Sequence, residues 1–424
     1  MSKKILSYNE KPLRTNNNPL YIVSETAREE RFNLGYGSGL GSQADYIYFD
    51  PSTSNTYYVG FLNDFDGSSG FGMAAMGPSG RRLSSFNINA GWQNNEEWIT
   101  KWDDGNFYVC GWGTTYQGIR GKVARILPTG LVDTSFTCFT GTSAYYWYTG
   151  MAIDHNGKVY VCSNHTYNAG GFAPVPGRLL RMNSNGTNDV EWNTLAGTGF
   201  LPSGNYTVSY KWGEIYVDSS NNIIYGSSFT SYRGEPYKNI IRIDGSTADP
   251  FPGFDTSTSS SNAQIRSFQV DEENNVIYIA GDFTTYKGRA ALYLAKINFE
   301  TAELDLSLDT STGFNGVVRR LSLDKANRKL WAVGDFTQYK GQSSKYLACI
   351  DLDTGLLDTT FNMGTGFNTL DYTAGPGMRG LAHDPVGKTV FVGGKIYSYN
   401  GKVANAFIPI KYDGSPDYYF DPEK

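Results

Sequence analysis

A unit of about 53 residues recurs along this chain, and the repetition constrains the fold more than any other feature of the sequence. In the two clearest copies, which begin at Gln264 and Gly316, the equivalent residues Asp271 and Asp324 are 53 positions apart. A unit that recurs at such a period indicates a repeat architecture, in which each copy buries its apolar surface against its neighbours. We therefore interpret the 424 residues as one array rather than as several unrelated domains.

Each copy begins with a strand that ends in an acidic turn. A short Asx side chain can bond its own backbone two residues further on, so we expect these carboxylates to be structural. An apolar strand follows each turn, as in VIYIAGDF and KLWAVGDF, which is typical of strands covered on both faces. The turn aspartate recurs as Asp50, Asp104, Asp154, Asp218, Asp271, Asp324 and Asp384.

An aromatic residue and a glycine follow the second strand of each copy. We interpret the glycine as a turn residue and the aromatic as a plug for the gap between repeats. A third strand comes next, and the copy closes with an aspartate and an aromatic, as in Asp358 with Phe361. The signature pairs include Tyr116 with Gly118, Tyr232 with Gly234, Tyr286 with Gly288, Tyr339 with Gly341, and Tyr399 with Gly401.

Seven copies of strands and turns predict an all-β fold, a seven-bladed β-propeller over residues 19–424. The 49 glycines and 31 tyrosines agree with many turns and pleated strands. Residues 19–33 resemble a surplus closing segment, and we expect them to seal the ring as a strand on the blade containing residues 378–421. Residues 1–18 form an N-terminal arm, either a disordered tail or a docking strap, and their polar composition favours disorder. The predicted blades span approximately residues 43–92, 93–146, 147–200, 201–262, 263–314, 315–376 and 377–421.

The repeated wording, a G-D-F-x-x-Y-x-G core followed by a strand and a D-x-x-F tail, resembles the delta-60 repeat family of β-propellers. The resemblance covers about residues 19–421, although Asn63-Asp64-Phe65 and Asn164-His165-Thr166 depart from the core wording. Such repeats are used in phage tail proteins and bacterial surface proteins. The resemblance therefore implies a virion component, such as a tail, baseplate or fibre-attachment protein. It would act in several copies as a protein–protein or host-surface adaptor, and residues 1–18 would contact other virion proteins.

Charge and targeting signals narrow the classes of partner. The net charge of -5, with no block of like charges, argues against nucleic acid or an anionic membrane as a partner. Residues 1–21 contain no apolar region typical of a secretory signal, and no stretch resembles a transmembrane helix. This favours a virion protein assembled in the host cytoplasm over the alternative, a bacterial surface or secreted carbohydrate-binding propeller.

The sequence offers few groups for catalysis. Its four cysteines lack metal-ligand spacing, so we expect no metal and no cofactor. Asp282 and Asp335, in equivalent G-D-F motifs, are the only candidates for a paired-carboxylate enzyme such as a glycosidase or lactonase. Such a pair must lie within roughly 5 to 10 Å. Identical repeat positions favour a turn role instead, so we expect no enzymatic activity.

Aromatic residues between the repeats are the better candidates for binding, since loops on a rigid scaffold often carry recognition. Phe200, Phe314 and Phe367 recur at one repeat position, which favours packing between blades. The cluster at residues 145–148 is denser than its counterparts, and we predict that it forms, together with Trp92, a surface site for a host-surface glycan or a protein. The residues of this predicted site are Trp92, Tyr145, Tyr146, Trp147 and Tyr148.

Overall fold

The fold was analysed in a computed structural model of the chain. The structure describes residues 43–61, 72–87 except 79 and 81, 96–111, 123–138, 148–163, 179–197, 199–202, 213–257, 260–369, 377–404 and 407–417, together with the dipeptides 4–5, 7–8, 11–12, 14–15, 18–19, 21–22, 64–65, 68–69, 115–116 and 119–120.

Among the described residues, seven antiparallel sheets share one pattern. A continuous stretch of chain supplies the strands of each sheet, and the second strand lies between the first and the third. Sheet 1 contains Gln43–Asp50, Asn55–Phe61 and Met73–Met76; sheet 2 contains Glu96–Lys101, Phe107–Gly111 and Val123–Ile126; sheet 3 contains Tyr148–Ile153, Val159–Ser163 and Leu179–Met182; sheet 4 contains Glu214–Val217, Ile223–Gly226 and Ile240–Ile243; sheet 5 contains Ile265–Asp271, Val276–Gly281 and Leu294–Asn298; sheet 6 contains Val318–Asp324, Lys329–Gly334, Leu347–Asp351 and Leu356–Leu357; sheet 7 contains Gly380–Asp384, Thr389–Gly393 and Phe407–Lys411.

The first strands of consecutive sheets lie against one another, and the first strand of sheet 7 also contacts the first strand of sheet 1. Side chains at one repeat position form hydrogen bonds with the backbone of the next sheet. A carboxylate oxygen of Glu214 accepts a hydrogen bond from the backbone N–H of Phe268 at 2.7 Å, and Ser267 Oγ accepts one from Leu321 at 3.1 Å. Arg320 occupies the next equivalent position and donates to a backbone carbonyl of sheet 7. Each bond therefore links one first strand to the next sheet.

The core consists of apolar layers between neighbouring sheets. Ile224 and Ile240 of sheet 4 pack in one cluster with Phe268 and Ile279 of sheet 5. Full burial of such a side chain contributes about 1.5–3 kcal/mol. This arrangement explains the long apolar runs in the sequence, because the second strands are covered on both faces.

Small hairpins connect the second and third strands. In the hairpin of sheet 5, Lys287 and Gly288 have φ values of 46° and 75°, and Lys340 and Gly341 of sheet 6 have 48° and 77°. Two successive positive φ values are typical of the type I′ turn, which glycine accommodates without strain. The hairpins and their added strands are Asp64–Phe65 with Ser68–Ser69, Thr115–Tyr116 with Ile119–Arg120, Phe200–Pro202 with Phe229–Tyr232, Thr285–Tyr286 with Arg289–Ala290, Gln338–Tyr339 with Gln342–Ser343, and Phe367–Thr369 with Ile396–Tyr399 and Lys402–Val403.

The acidic residue at the end of each first strand bonds the turn that follows it. Asp218 Oδ1 accepts hydrogen bonds from the backbone N–H groups of Ser220 and Asn222 at 2.9 and 2.8 Å, and Asp384 bonds its turn similarly. These carboxylates therefore stabilise the reversals between strands.

The prediction of an all-β fold is confirmed, and the part of the chain that the structure describes contains one short helix. A helix spans Val190–Ala196, and the carboxylate of Asp189 accepts a hydrogen bond from the backbone N–H of Trp192 at its start. Among the described helical residues, none lies in a helix with the length and apolar character needed to cross a bilayer.

The described part of the N-terminal segment forms short antiparallel pairs. Lys4–Ile5 pairs with Tyr21–Ile22, Ser7–Tyr8 pairs with Lys11–Pro12, and Arg14–Thr15 pairs with Asn18–Pro19. Residues 23–42 lie outside the described residues. The disordered or docking arm at 1–18 and the closing strand at 19–33 therefore stay predictions.

Candidate functional site

Arginines converge where the first strands of sheets 5, 6 and 7 begin. A small cavity there is lined by Asp45, Arg266, Arg319, Arg320 and Arg379. The strand ladder is irregular between Ile265 and Ser267 and between Val318 and Arg320. A β-bulge at such a position re-aims the extra residue, which is Arg266 in one strand and Arg319 in the other.

An aspartate of the same sheet holds each of these two arginines. Arg266 Nη2 donates to Asp282 Oδ2 at 2.8 Å, and Nε contacts the other carboxylate oxygen. Arg319 donates through Nε and Nη2 to Asp335, at 2.9 Å to Oδ1 and 2.6 Å to Oδ2. These two-point contacts fix the plane of each guanidinium group, and both Nη1 atoms remain outside the pairs.

The glycine of the G-D-F motif allows this approach. A Cβ atom on Gly281 would overlap the carbonyl oxygen of Gln264, and one on Gly334 would overlap that of Val317. The next residue donates its backbone N–H to the same carbonyl, at 2.8 Å for Asp335. The glycine and the aspartate therefore join the second strand to the bulge that carries the arginine.

Sheet 7 departs from this pattern. Lys395 stands 16 residues after Arg379, at the position that aspartate holds after Arg266 and Arg319. Arg379 Nη1 donates instead to Asp45 Oδ1 of sheet 1, at 3.2 Å. The arginine cluster therefore includes an ion pair between the last and first sheets of the chain.

Arg320 is the buried member of the cluster, with 7% of its surface exposed. Its guanidinium carbon lies 4.6 Å from the ring centre of Tyr46 and 5.1 Å from that of Trp98. Nε donates to the carbonyl oxygen of Arg379 at 3.0 Å, whereas Nη1 has no hydrogen-bond partner among the described residues. Burial raises the pKa of the neighbouring Glu214 carboxyl, and the charge of Arg320 opposes that rise.

The turn role expected for Asp282 and Asp335 is replaced by these ion pairs. The arginines were not predicted from the sequence, although each G-D-F aspartate follows an arginine by 16 residues. A turn role is predicted from residues next to the aspartate, whereas the ion pair joins two strands.

The predicted aromatic binding cluster falls almost entirely outside the described residues, which exclude Trp92, Tyr145, Tyr146 and Trp147. Tyr148 begins the first strand of sheet 3 and is opposite Ser163. The glycan or protein site at this cluster stays a prediction.

The other linker aromatics are buried. Phe200 and Phe314 are fully buried, and Phe367 has 3% of its surface exposed. Each ring lies close to the repeat tyrosine of the following hairpin, with a centroid distance of 4.7 Å between Phe314 and Tyr339. Their packing leaves no face for stacking on a sugar.

The repeat tyrosines occupy equivalent buried positions. Tyr286 and Tyr339 are fully buried, and each hydroxyl donates to a backbone carbonyl 16 residues later, at 2.8 Å to Ala302 and 3.0 Å to Gly355. Tyr232 donates to Ala248 at 2.7 Å and Tyr399 to Gly414 at 2.7 Å, while Gly234 and Gly401 adopt positive φ values. Tyr116 lies in a hairpin strand, and Gly118 lies outside the described residues.

The thiols are structural in character. Cys110, Cys162 and Cys349 are buried, Cys138 is half-buried, and none of them forms a disulfide. Burial raises the pKa of Cys349 well above the usual thiol value, which disfavours a reactive thiolate. Within the described residues, no group of three or more His, Cys, Asp and Glu side chains could hold a metal ion.

A family profile described as a domain of unknown function (DUF5122) β-propeller matches residues 103–136 and 325–361. No curated protein matches the sequence. The similar solved structures include the extracellular domain of a putative one component system from B. thetaiotaomicron, at 12% identity and a TM-score of 0.46, with 86% of this chain and 40% of that chain covered. They also include the WD40 β-propeller domain of Doa1, at 10% identity and a TM-score of 0.47, with 86% of this chain and 95% of that chain covered. The profile match and the repeated antiparallel sheets support a β-propeller type of fold for this chain.

Proposed function

We propose that the seven sheets are the seven blades of one closed ring. The contacts between consecutive first strands support this arrangement, as do those between sheets 7 and 1. At that junction the rings of Phe49 and Phe391 stack at 5.5 Å, and the ion pair between Arg379 and Asp45 also joins the two sheets. These contacts join sheets 7 and 1 directly, and the closing strand at residues 19–33 stays a separate prediction.

We further propose that this ring is a non-enzymatic structural component of a bacteriophage virion, in the tail, baseplate or fibre attachment. The G-D-F-x-x-Y-x-G wording supports the proposal, because it resembles delta-60 repeats. The observation that carries the non-enzymatic part is the use of Asp282 and Asp335, the two candidate catalytic carboxylates. Each is held in a two-point ion pair with an arginine. A glycosidase would need those oxygens for a substrate.

In this proposal the ring acts as a rigid adaptor present in several copies. Residues 1–18 and the blade linkers contact neighbouring virion proteins, and interface area rather than chemistry carries the function. Glycan binding through Trp147 and its neighbours is a second property that the same adaptor could use for host attachment.

The virion role is tested by locating the protein. Phage particles purified from the source should contain its peptides in a fixed ratio to a tail protein, and gold-labelled antibodies should mark one part of the tail. Recovery only from the bacterial surface or the medium would contradict the proposal and favour the carbohydrate-binding alternative.

Two further assays separate the alternatives. Binding on a glycan array that is lost in Trp147→Ala and retained in Tyr397→Phe would identify a glycan-binding propeller. Hydrolytic turnover of a glycoside or lactone that is abolished by Asp335→Asn would refute the non-enzymatic assignment.

A further inference from the structure

We propose that the arginine cluster binds a tetrahedral oxyanion, the phosphate or sulfate group of a small ligand, in the cavity that its four arginines line together with Asp45. This site is separate from the proposed virion role and does not depend on it.

The arginine cluster has hydrogen-bond donors that its ion pairs do not use. A guanidinium group has five N–H donors in a fixed fork. The contacts of Arg266 and Arg319 with their aspartates use Nε and Nη2, so Nη1 of each is available to a ligand. Arg320 adds a buried Nη1 with no hydrogen-bond partner among the described residues. Leaving such a charged donor unpaired in a buried place is unfavourable, and a bound anion would offset that cost.

The balance of charges in the cluster also favours an anion. Four guanidinium groups in the cluster face three carboxylates, those of Asp45, Asp282 and Asp335. The nearby carboxyl of Glu214 is buried, and burial favours its neutral form. The four guanidinium groups therefore outnumber the three carboxylates that pair with them, in a partly buried place where screening by water is weak.

The arginine side chains are preorganised for binding. The aspartate pairs hold Arg266 and Arg319 at the bulges, and the rings of Tyr46 and Trp98 hold the plane of Arg320. Because these side chains are already ordered, a ligand would immobilise few of them. Several planar forks around one small cavity suit a tetrahedral anion with three or four oxygens.

The test measures binding of inorganic phosphate and of sulfate to the full chain by calorimetry, with acetate as the planar control. Phosphate and sulfate should bind saturably and raise the thermal unfolding midpoint, whereas acetate should bind at least tenfold more weakly. Glycerol phosphate distinguishes the source of the group, since equal binding would indicate a phosphate carried on a larger molecule and weaker binding a free anion. Acetate binding as tight as phosphate binding, or no saturable phosphate binding, would overturn the proposal.

Variants separate binding from folding. Arg319→Lys keeps the charge but loses the fork, and we expect it to weaken phosphate binding at least tenfold. Arg328→Gln is the matched control in the same sheet, because Arg328 pairs with the exposed Asp353 away from the cluster. It should leave the affinity within twofold. A folded Arg319→Lys protein with unchanged phosphate affinity would assign the cluster a purely structural role and refute the site.

Discussion

Removal of the buried hydroxyl of a repeat tyrosine should destabilise the fold. The loss should depend on how many other donors bond the carbonyl oxygen that accepts from that hydroxyl. Tyr286 is fully buried and donates to the carbonyl of Ala302 at 2.8 Å. Tyr286→Phe removes this bond and leaves a buried carbonyl without that donor, which should cost about 1–2 kcal/mol of unfolding free energy. The carbonyl that Tyr232 contacts also accepts a bond from Arg233 Nη1, at 3.2 Å. Tyr232→Phe should therefore cost about half as much.

Urea unfolding followed by tryptophan fluorescence measures both losses as shifts in midpoint at constant slope. Tyr397→Phe is the control, because that ring is 49% exposed and the substitution should change the unfolding free energy by less than about 0.5 kcal/mol. The reasoning fails if Tyr286→Phe costs no more than Tyr397→Phe. It also fails if Tyr232→Phe costs as much as Tyr286→Phe, since shared acceptance would then have no effect.

Three other perturbations have defined outcomes. Arg242→Met should lower the unfolding free energy by about 3–5 kcal/mol, because Arg242 and Asp218 form a buried ion pair at 2.7 Å. Arg328→Met is the control and should change stability little, because the ion pair of Arg328 is exposed. Equal losses of the two variants in chemical denaturation would contradict this prediction. Burial lowers the pKa of His383 below its ordinary value of 6.5, although nearby carboxylates oppose the shift, so the unfolded chain binds the proton more readily. Stability should therefore fall as the pH drops below about 6.5, and His383→Gln should remove that component of the pH profile; a parallel profile for the variant would show that His383 is not its source. Ser267→Ala should lower the unfolding free energy by about 1–2 kcal/mol, because the backbone N–H of Leu321 on the next sheet loses its acceptor. A thermal unfolding midpoint equal to that of the wild type would show that this hydrogen bond does not stabilise the contact between the two sheets.

Short-range patterns predicted the repeated part of the fold. Apolar runs mark the second strands, aspartates such as Asp218 bond the turns that follow them, and Tyr286 precedes the glycine of a tight hairpin. Each of these signals depends on residues within a few positions of one another. The sequence could therefore reveal them without knowledge of how the sheets meet.

The helix at Val190–Ala196 was missed although its signals were present. Asp189 is a favourable N-cap residue, and Gly197 follows the last turn. The repeat pattern assigned Asp189 and Trp192 to a closing segment, which forms a turn in other copies, as between Asp358 and Phe361. In this degenerate copy, the local helix signals therefore determine the conformation of the closing segment, and the repeat pattern does not.

The arginine cluster could not be derived from spacing along one strand. Its arginines belong to sheets 5, 6 and 7, and the pair between Arg379 and Asp45 of sheet 1 joins residues 334 positions apart. Only the way the first strands meet brings these side chains together. The spacing of 16 residues between Arg266 and Asp282, which recurs at Arg319 and Asp335, predicts the individual pairs but not the cavity.

An experimental structure of the purified full chain would test the central claim of a closed ring most directly. We predict seven antiparallel sheets around one axis, with the first strand of sheet 7 against that of sheet 1 and Arg379 beside Asp45. A ring with another number of blades would contradict the account, and so would an open array in which sheets 1 and 7 are separated.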